Sequence, residues 1–439
     1  MKIKKGRIAA IAVAVLVVAA IGAVAARSGS AAQKTHANLS VTGSVKFWGI
    51  WSAEEQTAFE KVIAGFHKQY PNVNVSYTSK GNDIPTVLAT AIAGGNPPDV
   101  ADVAQPGLVK QFVQQKHLKP IAYAKSVISK NFAPAWAKLG IVNGKLYALL
   151  YKASNKSTLW YNVHSFKTAG VNAPKTWKQL ISAAKTIKAS GTPPYSLCGS
   201  SGWTLTDLFE NIYLRAFGTA KYNSLSAHKI KWTDPSVTKA LKYMKQIISG
   251  ANVYGGTSGA LQTAFPQCVD FAYATPPKAA MVIEGDFVAN EILQATKAKP
   301  KKDFNVATFP SITAGANASA IETSGDEIIT FRDTPAIRAF VKYLATPKAA
   351  EIWAKLGGFG TGNLHVPATA YPDAITRATE TPLARAKSAV FDMSDQQPAA
   401  FGSTTGQGEW GIFQKFLQNP SNIKSIQQQL EASAKKAYK

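Results

Sequence analysis

Two carboxylates separated by a single residue, Glu284 and Asp286, raise hydrolysis first, because cleaving a glycosidic bond takes two carboxyl groups facing each other across it. With 25 acidic residues in a chain of 439, spacing alone selects no pair. The same groups also accept hydrogen bonds from hydroxyls without breaking any bond. The six histidines, at 36, 67, 117, 164, 228 and 365, stand far apart, with no H-E-x-x-H and no Cys/His cluster at metal spacing, so no metal site is expected. The serine-nucleophile pattern G-x-S-x-G is missing, since Gly199-Ser200-Ser201-Gly202 is one position short. Gly140 and Gly144-Lys145 enclose three residues where a phosphate loop needs four, and the glycines from Gly357 to Gly362 miss the dinucleotide spacing. No cofactor is expected either. What the chain does offer is aromatic rings and planar polar side chains at the ends of predicted elements.

The clearest of those elements is residues 45–77, which read as strand, helix and strand. Phe59, Val62, Ile63 and Phe66 recur at helical spacing, and Tyr70-Pro71 ends the run. Ser52 and Glu55 have the spacing of a capping box, which starts the helix near Ser52 or Ala53. In an open α/β sheet, ligands bind beyond the carboxyl ends of the strands, where Trp48, Trp51 and the helix start would meet. Trp48 alternates with Val45 and Phe47 and reads equally as core. Further along, Thr86–Ala93 and Leu108–Lys116 read as helices around a strand at 99–103, which predicts a largely parallel sheet. Asp234-Pro235, Thr334-Pro335 and Thr346-Pro347 each place a cap before a proline that fits the first helical position. Residues 280–283 and 304–309 read as buried strands, and the tail after Pro367 as loop until a helix at 410–417 and an amphipathic one at 423–438.

Lys2, Lys4, Lys5 and Arg7 precede an apolar run from Ile8 to Ala26, the pattern of an export signal, with Ala23 and Ala25 offering a cleavage site. The run of 19 residues also suffices for an uncleaved anchor. No cysteine lies near it, so no lipid anchor of the bacterial lipoprotein kind is expected. Export meets an oxidising environment. Cys198 and Cys268, the only cysteines, either pair there, closing a loop worth roughly 4 kcal/mol in the chain-entropy model, or stand as separate buried thiols. The formal charge of +24 comes from lysines scattered over helices, such as Lys178, Lys185, Lys188 and Lys239, Lys242, Lys245, without an Arg-rich run. A solvated basic surface, and no nucleic-acid partner, is the expectation.

The segments FWGIWSAEEQTAFEKVIAGFHKQYPNVNV, AIAGGNPPDVADV, GKLYALLYKASNKSTLWYN, MVIEGDFVA, FNVATFPSI and SGDEIITFRDTPAIRAFVKYLATPKAAEIW, in this order, resemble the extracellular sugar-binding proteins of ABC importers, the family that includes maltose-binding protein. WTLTDLFENIYLR, DPSVTKALKYM, VYGGTSGAL and FDMSDQQPAAFG resemble its α-glucoside and oligosaccharide type. Phe287 stands where the family usually has Trp, so it can stack but lacks a donor.

The resemblance implies an α/β, periplasmic-binding-protein-like fold of two lobes around a hinge, with the ligand cleft between them. The expected layout is an export segment at 1–26, a linker at 27–40, a first lobe of 41–153 plus 310–360, and a second of 154–309 plus 361–439. A sugar needs rings to stack on its C–H faces and planar polar groups for its hydroxyls. The candidates are Trp48, Trp51, Glu54, Asp102, Gln105 and Asp326 on the first wall, Lys152 and Asn155 at the crossing, and Trp203, Asp207, Glu284, Asp286, Phe287 and Trp410 on the second. Hinges are expected at Ser154–Ser157 and near Phe309–Ile312, and closure would present the protein to a membrane permease. The implied protein is a monomer, periplasmic or at the cell surface, and not an enzyme. A secreted carbohydrate-active enzyme and a peptide or polyamine binder are the alternatives.

Overall fold

The computed structural model describes residues 37–314, 320–381, 383 and 389–439. The expected export segment and linker residues 27–36 lie outside them. Strand β1 (Gly43–Gly49) alternates strictly, with Val45, Phe47 and Gly49 buried and Ser44 and Lys46 exposed. It runs parallel to β2 (Val73–Ser79), Phe47 opposite Tyr77, and to β3 (Val100–Val103). The helix between β1 and β2, Ala53–His67, buries Phe59, Val62, Ile63 and Phe66, as the spacing predicts. Its start differs from the expected capping box: the Ser52 side chain makes no cap bond, and Glu55 pairs instead with Lys152.

After the small hairpin β4 (Ile141–Val142) and β5 (Lys145–Leu146), strand β6 (Ala148–Asn155) enters the main sheet. The chain then leaves through Lys156 and Ser157 into β7 (Thr158–Asn162), which pairs with β8 (Met281–Val282) and β9 (Phe304–Thr308) in a separate three-stranded sheet. The chain thus passes from one sheet to the other at Lys156 and Ser157. Both partners run antiparallel to β7.

The return leads to β10 (Ile321–Thr330), the longest strand, which pairs antiparallel with β6 on one side and with β3 on the other. β11 (Ala389–Phe391) then pairs parallel with the start of β10, completing a six-stranded mixed sheet. The segment 361–439 is therefore shared. Its β11, Ala370 and Tyr371 belong with the six-stranded sheet, whereas Gly408–Gln418 and Ile423–Ala437 pack into the other core.

That second core gathers around the helices Trp203–Ser226 and Pro235–Ile248. Val237, Leu241, Met244 and Ile248 face it, and the Asp234 carboxylate caps the second helix by accepting from Ser236 N at 2.8 Å. Cys198 and Cys268 are joined as a disulfide, their Cα atoms 5.2 Å apart. Among the described residues no helix is long and apolar enough to cross a membrane.

Candidate functional site

A cleft of about 220 Å³ opens where the two sheets' loops meet. Ile50 to Glu55, Asn82, Gln105, Lys152, Ser154, Ser324 and Asp326 line it from the six-stranded side; Trp203, Phe265, Phe287, Asn290, Glu291 and Trp410 face them, with Ser394 and Asp395 alongside. Trp203, Phe265 and Phe287 form an aromatic triangle, their centroids 5.4 to 5.9 Å apart.

Of the residues expected from sequence, Trp51, Glu54, Gln105, Lys152, Trp203, Phe287, Asp326 and Trp410 line this cleft. Trp51 does so from within the core. It is 0% exposed, packed by Phe47, Phe59, Tyr77, Tyr151 and Trp353, and its Nε1 donates to Asp326 Oδ2 at 2.7 Å. Asp326 in turn lies 3.9 Å from Lys152 Nζ, which also binds Glu55. Burial opposes the Lys152 charge, but Glu55 and Asp326 outweigh it and hold the ammonium charged.

The remaining candidates stand behind the lining. Trp48 alternates outward from β1 and lies half-buried between Lys46 and Lys80, each ammonium within 4.8 Å of the ring. Asp102 is fully buried beneath the β1 turn and accepts from Ile50 N at 3.0 Å. Gly49 permits this: an added Cβ would sit 2.5 Å from Tyr77 Oη and 2.7 Å from Asp102 Oδ2. Asp286 accepts from Asn155 N at 2.7 Å, and Asn155 Oδ1 accepts from Ser157 N at 3.0 Å, so both fix the crossing backbone. Glu284 is buried, and its backbone carbonyl accepts from Thr158 Oγ1. Glu284 and Asp286, the pair that raised hydrolysis, therefore do not face the cleft together.

Asp207 serves the least foreseen feature. Lys156, at the crossing itself, extends its ammonium to Asp207 Oδ1 at 3.0 Å and to Asp392 Oδ2 at 2.5 Å. Carboxylate oxygens of Asp207, Glu322 and Asp392 approach within 4.8 Å of one another, a spacing that could suit a metal, but here an ammonium bridges two of them. Burial pushes Asp207 up to about 7 against the pull of Lys156, while at Asp392 the lysine and backbone donors overcome burial and hold the carboxyl low. Ser157 adds to the tie: its Oγ donates to Asn211 at 2.6 Å and accepts from Glu322 N at 2.9 Å.

Sequence reasoning missed Lys156, Glu55, Asn82, Phe265, Glu291 and Asp395 as neighbours of the cleft. Lys156, Glu55 and Asp395 carried a signal, lying inside segments already singled out.

Two α/β regions joined by chain crossings, with an aromatic and polar cleft between their loops, define a binding protein whose ligand sits between two walls. The chain belongs to the bacterial extracellular solute-binding proteins, whose family model matches residues 51–351. It is 30% identical over 370 residues to the osmoprotective compounds-binding protein GgtB of Synechocystis, covering 82% of this chain and 86% of that one. It is 28% identical over 373 residues to the alpha-glucosides-binding periplasmic protein AglE of Rhizobium meliloti, covering 82% and 81%. Among solved structures, the bacterial solute receptor AcbH superposes with a TM-score of 0.79 at 20% identity, over 91% of this chain and 100% of that one. RafE in complex with raffinose gives 0.73 at 18%, over 91% and 100%. The fold is thus that of the periplasmic sugar-binding proteins.

Proposed function

We propose that this chain binds a sugar, an oligosaccharide or α-glucoside, in the cleft and delivers it to an ABC-type permease after hinge closure. The observation that carries this reading is the aromatic triangle of Trp203, Phe265 and Phe287 set opposite Gln105, Glu54 and Asp326. Rings accept the C–H faces of a pyranose, and the amide and carboxylates accept its hydroxyls. The names of AglE and GgtB and the raffinose complex of RafE support the class of solute.

Closure requires the walls to move as two bodies, and the two-residue passage at Lys156 and Ser157 is short enough to act as a hinge. In this reading the six-stranded sheet and its helices form one lobe and the three-stranded sheet the other. The protein works as a monomer outside the cytoplasm, free or tethered by an uncleaved export segment, and transforms nothing. A thermal-shift screen with mono- and oligosaccharides tests it: at least one sugar raises the melting temperature, and a shift with peptides or polyamines but with no sugar would overturn it.

A further inference from the structure

A protein of formal charge +24 surrounds a cleft whose charged lining is mainly acidic. Among the described residues the only cations there, Lys152 and Lys156, are each already held by two carboxylates of the protein. Glu54, Glu291 and Asp395 line the same cleft, and among the described residues none of them has a cation at ion-pair distance or a hydrogen bond to its carboxylate. Asp395 is the most telling of the three, because it is only 5% exposed, so closure cannot leave it to water. Glu291 comes from the second wall, and burial with the charges of Asp270, Glu54 and Glu55 pushes it up to about 7. Burial and the charge of Asp392 push Asp395 up as well, and Lys156 only partly offsets them, so among the described residues no cation pairs directly with either carboxylate.

We infer that the cleft favours an ammonium-bearing sugar, an amino sugar unit with a free amine, over its neutral counterpart, and rejects sugars carrying a carboxylate or phosphate. This rests on the sugar reading above and names the charge class of the solute. Closing the second wall over the ligand desolvates Glu291 and Asp395, and an ammonium beside either one replaces the lost water with charge-assisted hydrogen bonds. An anion there adds like charge in a space that water has left.

The test compares matched sugars. Each neutral sugar that shifts the melting temperature is measured by titration calorimetry at pH 7, where the 2-amino group is mainly an ammonium, beside its 2-amino-2-deoxy and its uronic acid counterparts. The amino form should bind about tenfold tighter than the neutral form and the uronic acid about tenfold weaker, a step of 1.4 kcal/mol each. In Glu291→Gln and in Asp395→Asn the ratio of amino to neutral affinity should fall toward one; the ratio is read only in variants whose melting curve without ligand matches the parent, and Glu54→Gln serves if either fails to fold. A neutral sugar that binds with no preference for its amino form, or a uronic acid that binds as well, overturns the inference and leaves the sugar reading standing. No binding by any sugar overturns both.

Discussion

The Trp51 indole donates to Asp326 Oδ2 at 2.7 Å, joining the end of β1 to the middle of β10 across 275 residues of chain. One side chain is thereby both core and cleft floor. Its ring closes a cluster with Phe47, Phe59 and Trp353, while its polar edge orients the carboxylate that meets Lys152.

It follows that Trp51→Ala destabilises the unliganded protein by roughly 3 to 5 kcal/mol, the range for deleting a buried indole. Urea unfolding followed by circular dichroism measures this. An unchanged midpoint would mean that the ring is a replaceable part of the cleft wall.

Trp203 makes the contrast. It is half-buried and touches mainly Phe265 and Phe287. Trp203→Ala should weaken sugar binding by about tenfold or more, with a stability change of about 1 kcal/mol at most. Calorimetry and a urea midpoint on the same preparation separate the two effects.

Lys156 is buried at the crossing between Asp207 and Asp392. Lys156→Met leaves two buried carboxylates without their cation and should cost about 3 to 5 kcal/mol at pH 8. The deficit should shrink toward pH 5. Without the ammonium both carboxyl groups hold protons more tightly in the folded state, and a raised carboxyl contributes stability that is present in acid and lost as pH rises.

Glu327 offers the cleanest pH test. It is fully buried in β10, and burial, aided by Asp326 and opposed by Lys110, pushes it up to about 8 from 4.5. Its stabilising proton is held below the unfolded value and lost as pH rises through about 8. Between those limits one such group lowers stability by about 1.4 kcal/mol per pH unit. The parent should therefore unfold at lower urea at pH 8 than at pH 5, and Glu327→Gln should show a shallower decline. Equal slopes would contradict the assignment.

Local rules written in the chain account for much of the fold. Helical spacing located Ala53–His67, and cap-plus-proline pairs located Pro235–Ile248, Pro335–Leu344 and Pro347–Ala354. β10 escaped, because IETSGDEIIT carries a glycine and three acids that become acceptable only between β6 and β3. The site was half legible for a similar reason. A tryptophan after a strand announces an aromatic at a sheet end, but whether it faces core or cleft depends on partners such as Trp353, some 300 residues later. Glu55 obeyed the local capping pattern on paper and yielded to a buried lysine 97 residues away. The Lys156 cage joins residues separated by 51 and 236 positions, and no local pattern encodes that.

In the proposed function the cleft binds a sugar without transforming it. Titration calorimetry of the protein against a panel from glucose to tetrasaccharides, with chromatography of each sugar after incubation, tests both halves. Saturable binding at one site with every sugar recovered intact, lost or strongly weakened in Trp203→Ala, is the predicted result. Heat of binding from a peptide or polyamine alone, or a sugar shortened during incubation, would contradict it.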